Sequence, residues 1–249
     1  SAWASANRLV LGQVKVDEKS NEITAIPELL QTLALSGCIV TIDALGCQKE
    51  IAEIIVDQEA DYILALKENH GQLYEDIIRL FDDLEQSQYK AYAYTYDRTV
   101  NKNHGRIEIR QCWMITDLEV LRYLRGAADW KNLRSVVKVQ SERRIGPDSS
   151  IRDRYFISCL ESDAKQLLES IRSHWHIENS LHWVLDIAFR EDESRIRKDH
   201  GPENFAILRH IALNLLKQDT SVKAGIKARR LKAGWDEAYL LKLLSALFR

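Results

Sequence analysis

The chain has 249 residues, 45% of them apolar and 8% aromatic, which is enough for a substantial core in one large domain or a domain carrying an insertion. Its three prolines and ten glycines leave no Pro/Gly-rich linker, and Cys38, Cys47, Cys112 and Cys159 are scattered without a CxxC pair, which disfavours a zinc ribbon and reads as reduced thiols. No apolar run approaches the ~20 residues that span a bilayer, and no signal pattern opens the chain, so the expectation is a soluble, cytoplasmic protein without membrane partners.

The formal net charge of −2 hides an uneven distribution. Residues 1–97 carry 7 Lys/Arg against 17 Asp/Glu, residues 98–154 carry 13 against 7, and residues 155–249 carry 15 against 13. A basic middle behind an acidic front suits a grip on a polyanion, or else ordinary solvated surface.

In chain order, SAWASA and RLVLGQVKV (8–16) predict a hairpin, followed by a polar turn, DEKSNE. ITAIPELLQTLALSG (23–37) has helical spacing, with Thr24 as a possible cap and Gly37 as its stop. CIVTID predicts a buried strand ending at Asp43, QKEIAEIIVDQ (48–58) an amphipathic helix, and DYILALK (61–67) another strand ending at Lys67. This alternation implies a sheet with parallel central strands. A further helix is expected over HGQLYEDIIRLFDDLEQ (70–86). From Tyr89 to Leu160 the pattern alternates, with breaks at NKNHG and GPDSS, as in a β-rich insertion. Helices resume at Ser162, continue through residues 202–219, and end in a basic tail.

Within that helical return, His174, Glu178, His182 and Asp186 recur every four residues on one face. The stripe suits a metal or phosphate face, a polar network with Glu178 held between the two histidines, or, less naturally, zinc, whose ligands would lie too nearly in line. Asp43 at a strand end suits a metal-binding carboxylate or a helix cap. Lys67 suits a phosphate contact or a solvated strand end. Trp175 and Trp183 share a helical face, where core packing or stacking on an unstacked base are the alternatives. His104, Gly105 and Arg106 form a basic turn in which Arg106 contacts DNA phosphate or pairs across strands with Glu108. Arg195, Arg197 and Lys198 follow the Glu-bearing segment. Lys223, Lys227, Arg229, Arg230 and Lys232 form the clearest basic cluster, suited to phosphate contacts without base readout.

TIDALGCQKEIA around Asp43, DYILALKENHGQLYEDI, NHGRIEIRQ, RSHWHIENSLHWVLDIAFREDESRIRKDH and PENFAILRHIALNLLK together resemble the DDE transposases of bacterial insertion sequences, most closely the H-repeat-associated group. The likeness runs over nearly the whole chain. It implies an α/β, ribonuclease-H-like mixed sheet flanked by helices, with a β-rich insertion and a helical C-terminus. The corresponding parts are a first core segment at 1–86, the insertion at 87–161, a second core segment at 162–219 and a basic tail at 220–249. It also implies Asp43 and Glu178 as second and third catalytic acids holding Mg²⁺ or Mn²⁺, and double-stranded DNA, both element ends and target, as substrate. An assembly on paired ends, in the form of a homo-oligomer, is expected. The DNA contacts expected are His174, His182, Lys67, Arg106, Arg195, Arg197, Lys198, Arg229 and Arg230.

Two departures stand out. The chain has Ile171, His174 and Leu185 where related enzymes commonly carry Tyr, Arg and Lys, so His174 would make a weaker, pH-dependent phosphate contact. The family's first acid lies on a strand before the opening hairpin, which would precede Ser1. The first core strand is therefore expected to be absent from these residues, which should be inactive alone and should leave a gap or distortion in the sheet. The rival reading is a non-catalytic DNA-binding remnant, and an Asp-Gly-Lys strand encoded just upstream would separate the two.

Overall fold

The computed structural model describes residues 1–14, 22–103 and 105–248. The chain divides into two compact units, one formed by Ser1–Asp17 with Ser173–Arg249 and the other by Glu18–Arg172. No helix among the described residues is long and apolar enough to cross a membrane.

Strands β1 (Ala2–Ala4) and β2 (Leu9–Gly12) form the predicted hairpin, an antiparallel two-stranded sheet of its own. Lys15, Val16 and the turn residues 17–21 lie outside the described residues. Helix α1 (Glu22–Gln31) is shorter than its periodicity suggests. Thr24 lies within it, and it closes where the Thr32 hydroxyl and backbone N–H both donate to the Leu29 carbonyl, a local bond that competes with the helical ladder. Gly37, at φ +72°, instead shapes the turn that leads to the next strand.

Strands β3 (Ile39–Ile42) and β4 (Asp61–Leu66) flank helix α2 (Lys49–Asp57) and pair in parallel, Ile39 with Asp61 and Ile42 with Leu64. A 3₁₀ turn (Glu68–His70) leads into α3 (Gly71–Gln86). Four long antiparallel strands follow: β5 (Thr95–Asn103), β6 (Arg106–Ile115), β7 (Ser135–Ile145) and β8 (Asp148–Ser158), with the short α4 (Leu118–Leu121) between β6 and β7. They continue the same sheet, because β8 pairs antiparallel with β4, giving the order β3-β4-β8-β7-β6-β5. Only β3 and β4 are parallel, so the sheet is mixed rather than mainly parallel.

Period-two alternation sends the buried residues of this six-stranded sheet to two cores. Tyr62, Leu64, Leu66, Trp113, Val136, Tyr155 and Ile157 meet Ile51 and Ile55 of α2 and Ile77, Phe81 and Leu84 of α3. On the opposite face, Ile63, Cys112, Met114, Val137, Val139 and Phe156 meet Leu167, Leu168 and Ile171 of α5 (Ala164–His174). This unit is thus an α/β arrangement with helices on both faces. Only half of the β7–β8 ribbon is covered: Ser135–Val139 and Tyr155–Ser158 are buried, whereas residues 143–145 and 148–154 are exposed.

The other unit contains the hairpin, the helical stretch after α5, α6 (Gly201–Gln218), α7 (Ile226–Trp235) and α8 (Glu237–Ser245). Val10, Leu181, Leu185 and Leu213 form one small core, and Leu216, Tyr239 and Leu243 another. Asp219 ties the tail together by accepting from Ser221, Tyr239 and Lys242. Burial alone would raise its pKa, but these donors outweigh it and hold the carboxyl well below its ordinary value.

Candidate functional site

Asp43 is exposed one residue beyond β3, where its Oδ1 accepts from the backbone N–H of Leu45 (3.1 Å) and Gly46 (3.4 Å). It therefore closes its own turn rather than capping α2, whose N-cap is Gln48. Glycine at 46 lets the turn pack closely, because a Cβ there would lie 2.4 Å from Ile42 Cγ2 and 2.7 Å from Ile26 Cδ1 and would force those side chains to shift. Parallel pairing brings the ends of β3 and β4 to the same sheet edge, and the 3₁₀ turn after β4 grips the Asp43 turn from outside. Asn69 Nδ2 donates to the Ala44 carbonyl at 3.1 Å, and His70 Nε2 lies 2.5 Å from the Cys47 carbonyl. Since a carbonyl can only accept, that ring nitrogen carries the proton. The His70 ring also stands edge-on to Trp130, centroids 5.1 Å apart. Lys67 is exposed at this edge. Asn69 and His70 are site residues that sequence reasoning missed; the only signal was a polar triplet, Glu-Asn-His, directly after a buried strand.

Glu178 lies on the helical stretch that continues from α5, and that stretch is not a regular α-helix. It widens into π-turns at Glu178–His182 and Leu185–Phe189. The Glu178 side chain is 56% exposed, and His182 Nδ1 lies 3.5 Å from its Oε2, so the four-residue neighbourhood survives the widening. His174 is half-buried, its ring edge-on to Trp175. Ile171 and Leu185 are both buried, which accounts for apolar residues where the family commonly carries Tyr and Lys. Trp175 and Trp183 are 46% and 61% exposed, contrary to core packing, because Leu181, Leu185 and Ala188 take the inward positions.

The basic middle of the chain has a definite geometry. Strand register places Arg106 and Arg110 of β6, Arg143 of β7, and Arg152 and Arg154 of β8 on one face, outward of the α5 core. Arg98, Lys102 and Arg144 fall on the other. On the five-arginine face Glu108 bridges Arg106 (2.8 Å) and Arg110 (2.5 Å). Arg106 and Glu108 thus pair along one strand, not across two, because residues two apart share a face. Desolvation works to raise the Glu108 pKa, and these guanidinium groups outweigh it and lower it. Burial lowers the Arg154 pKa, and the neighbouring charge of Arg152 lowers it further. Beside them, Thr99 Oγ1, Asn101 Nδ2 and Arg110 Nη1 are buried polar atoms with no hydrogen-bond partner among the described residues. His104 lies outside the described residues.

Elsewhere, Arg195, Arg197 and Lys198 are exposed, with Arg197 donating to the adjacent Ile196 carbonyl. Lys223 and Lys227 are exposed. Arg229 donates to the carbonyls of Leu216 and Asp219 at the end of α6, Arg230 lies over the Phe189 ring, and Lys232 pairs with Asp236. These last three carry structural contacts that a count of charges does not reveal.

The mixed six-stranded sheet flanked by helices is an α/β fold, and sequence comparison identifies the class to which the chain belongs. The family model for the transposase DDE domain matches residues 2–215, and the chain belongs to this family. Among its relatives, the H repeat-associated putative transposase YhhI of Escherichia coli K12 is 39% identical over 255 residues, spanning 98% of this chain and 65% of its own length. The putative transposase YncI of Escherichia coli O157:H7 is 41% identical over 249 residues, spanning 99% and 63%. The putative protein YbfL of Escherichia coli K12 is 39% identical over 255 residues, spanning 98% and 65%. The chain therefore spans less than two thirds of the length of these relatives.

Proposed function

We propose that these residues belong to the catalytic core of a DNA transposase that cleaves and joins strands at the ends of an insertion sequence, with Asp43 and Glu178 as two of its metal-holding acids. The observation that carries this reading is the Asp43 turn: Asn69 and His70 fix its backbone from a neighbouring element while the carboxylate stays exposed at a sheet edge. Such external bracing of a solvated turn suits a group whose position matters to chemistry.

Among the described residues no three His, Cys, Asp or Glu side chains cluster as a ready metal cage. Mg²⁺ does not need one, since it keeps several waters and takes one or two carboxylates plus substrate phosphate, so exposed carboxylates are suitable donors. When bound, such ions stabilise charge at the attacking and leaving oxygens of the phosphodiester. The chain's own side chains would do the rest. His182 steadies Glu178, Lys67 reaches phosphate at the Asp43 edge, and the five-arginine sheet face grips duplex backbone. In this reading β3, β4 and their helices form part of a ribonuclease-H-like core (1–86 and 162–219), β5–β8 are its insertion (87–161), and 220–249 is a basic tail. The working enzyme assembles on paired element ends.

The test is Mn²⁺ binding and cleavage of a matched element end by the full-length protein. Asp43→Asn and Glu178→Gln are each expected to weaken binding and abolish cleavage; unchanged Mn²⁺ affinity in both variants would remove the assignment.

A further inference from the structure

Helix α6 carries Asn214 and Lys217 three residues apart, one helical turn along the same side. Asn214 spends its amide twice on β2: Val10 N donates to Oδ1 at 2.9 Å, and Nδ2 donates to the Val10 carbonyl at 2.9 Å. The side chain thus substitutes for a further strand along the hairpin. Lys217 Nζ donates to the Ser180 carbonyl at 2.6 Å and lies 4.1 Å from the centroid of the Trp3 ring on β1. Beside them on the same helix, Leu213 and Leu216 are buried. One face of α6 therefore ties the opening hairpin to the π-turn that begins at Glu178.

Ser180 sits in the middle of that π-turn. Widening a turn from i→i+4 to i→i+5 bonding shifts the ladder by one residue and deprives a carbonyl of its α-helical partner. A charged donor held on a carbonyl inside the π-turn, as Lys217 is on Ser180, fixes that carbonyl's direction and so favours the backbone form in which the contact is made. The choice has a geometric consequence: taking one residue out of a helical turn rotates everything on one side of it by roughly 100° relative to the other. Glu178 and the residues after the turn would then no longer keep their present relative directions. The Lys217 site is also a costly place for an ammonium, since burial, helped by Arg8, lowers its pKa to about 8. The Ser180 carbonyl and the Trp3 ring face are what offset that cost.

We propose that Lys217 is a positioning residue that locks the π-turn at Ser180 and so sets the direction of the Glu178 carboxylate, with Asn214 holding the hairpin that carries the Trp3 ring. This deepens the reading of Glu178 as a metal-holding acid and rests on it.

The experiment is amide hydrogen exchange over residues 176–190, together with Mn²⁺ binding, in full-length wild-type protein and in Lys217→Met, Lys217→Gln and Lys217→Arg. Lys217→Met is expected to raise exchange across 178–184 by about tenfold or more and to weaken Mn²⁺ by roughly 10- to 100-fold, the range for residues that orient a metal ligand. Lys217→Arg is expected to restore most of both. If Lys217→Met does not fold, the graded order wild type, Arg, Gln in exchange carries the same information. Exchange over 178–184 that is indifferent to the residue at 217 overturns the clamp. If exchange rises as expected but neither Lys217→Met nor Glu178→Gln alters Mn²⁺ affinity, the clamp stands as a backbone device and the metal-holding reading of Glu178 falls.

Discussion

The two acids are held in opposite ways. Asp43 is part of its own support, since one of its oxygens accepts from Leu45 and Gly46 while Asn69 and His70 hold the surrounding carbonyls. Glu178 closes no turn among the described residues: its carboxylate lies against the His182 ring, and the backbone beyond it is held by Lys217 at the Ser180 carbonyl. On the proposed reading of both as metal-holding acids, removing the first carboxylate disturbs structure and chemistry together, whereas removing the second isolates the chemistry.

The largest expected effect tests both at once. In the full-length protein, Asp43→Asn and Glu178→Gln should each lower element-end cleavage by roughly 10³-fold or more, the scale for losing one member of a catalytic set. Loss in only one of them would break the symmetry of role assumed for the two acids.

Next comes acid. His210, 8% exposed on α6, has its pKa lowered to about 4 by burial, with His182 and Arg209 adding positive charge nearby. Between an unfolded value near 6.5 and a folded value near 4 the unfolded chain binds the proton first. Stability is therefore full above about pH 6.5 and lost as pH falls toward 4, by on the order of 3 kcal/mol. Among the described residues no buried histidine occurs in the Asp43-bearing unit. Acid exchange experiments should accordingly open residues 201–218 before β3 and β4, and His210→Phe should abolish the difference; simultaneous opening would show that the two units share one titrating cause.

Smaller changes compare the turns directly. Gly46→Ala pushes a methyl into Ile42 and Ile26 and should cost about 1–3 kcal/mol in denaturant unfolding. Asp43→Ala, losing the carboxylate that accepts from Leu45 and Gly46 within its own turn, should cost roughly 1 kcal/mol. Glu178→Ala should stay within about 0.5 kcal/mol of wild type. A larger cost at Glu178 than at Asp43 would reverse the contrast.

Much of this was legible in the chain. The run CIVTI followed by Asp43 gave both the strand and its exposed acid, and the four-residue recurrence from His174 to Asp186 placed Glu178 beside His182. What remained hidden depends on partners distant in sequence. Nothing local to Asn69 or His70 says that β3 and β4 run parallel and bring their ends together. No residue type marks a π-turn, so Ser180 and Lys217 looked unremarkable although they lie 2.6 Å apart. The pairing of β4 with β8 joins residues nearly a hundred positions apart, which is why the β-rich segment read as separate from the sheet it extends. Arg229 was read as surface charge because a count cannot distinguish a solvated guanidinium from one closing the end of α6.

The β7–β8 ribbon has a further consequence. Its inner residues are locked in register by burial, while its outer residues from Arg143 to Arg154 meet solvent. The outer part therefore inherits its alignment from the inner part, and parity governs its length. Two residues added on each side of the Gly146–Pro147 tip lengthen the ribbon and leave every existing side chain on its face, whereas a one-residue slip of β7 against β6 would swap the faces of Arg143 and Arg144. The reach of this arm can thus vary in matched steps of two without renegotiating the fold that carries it.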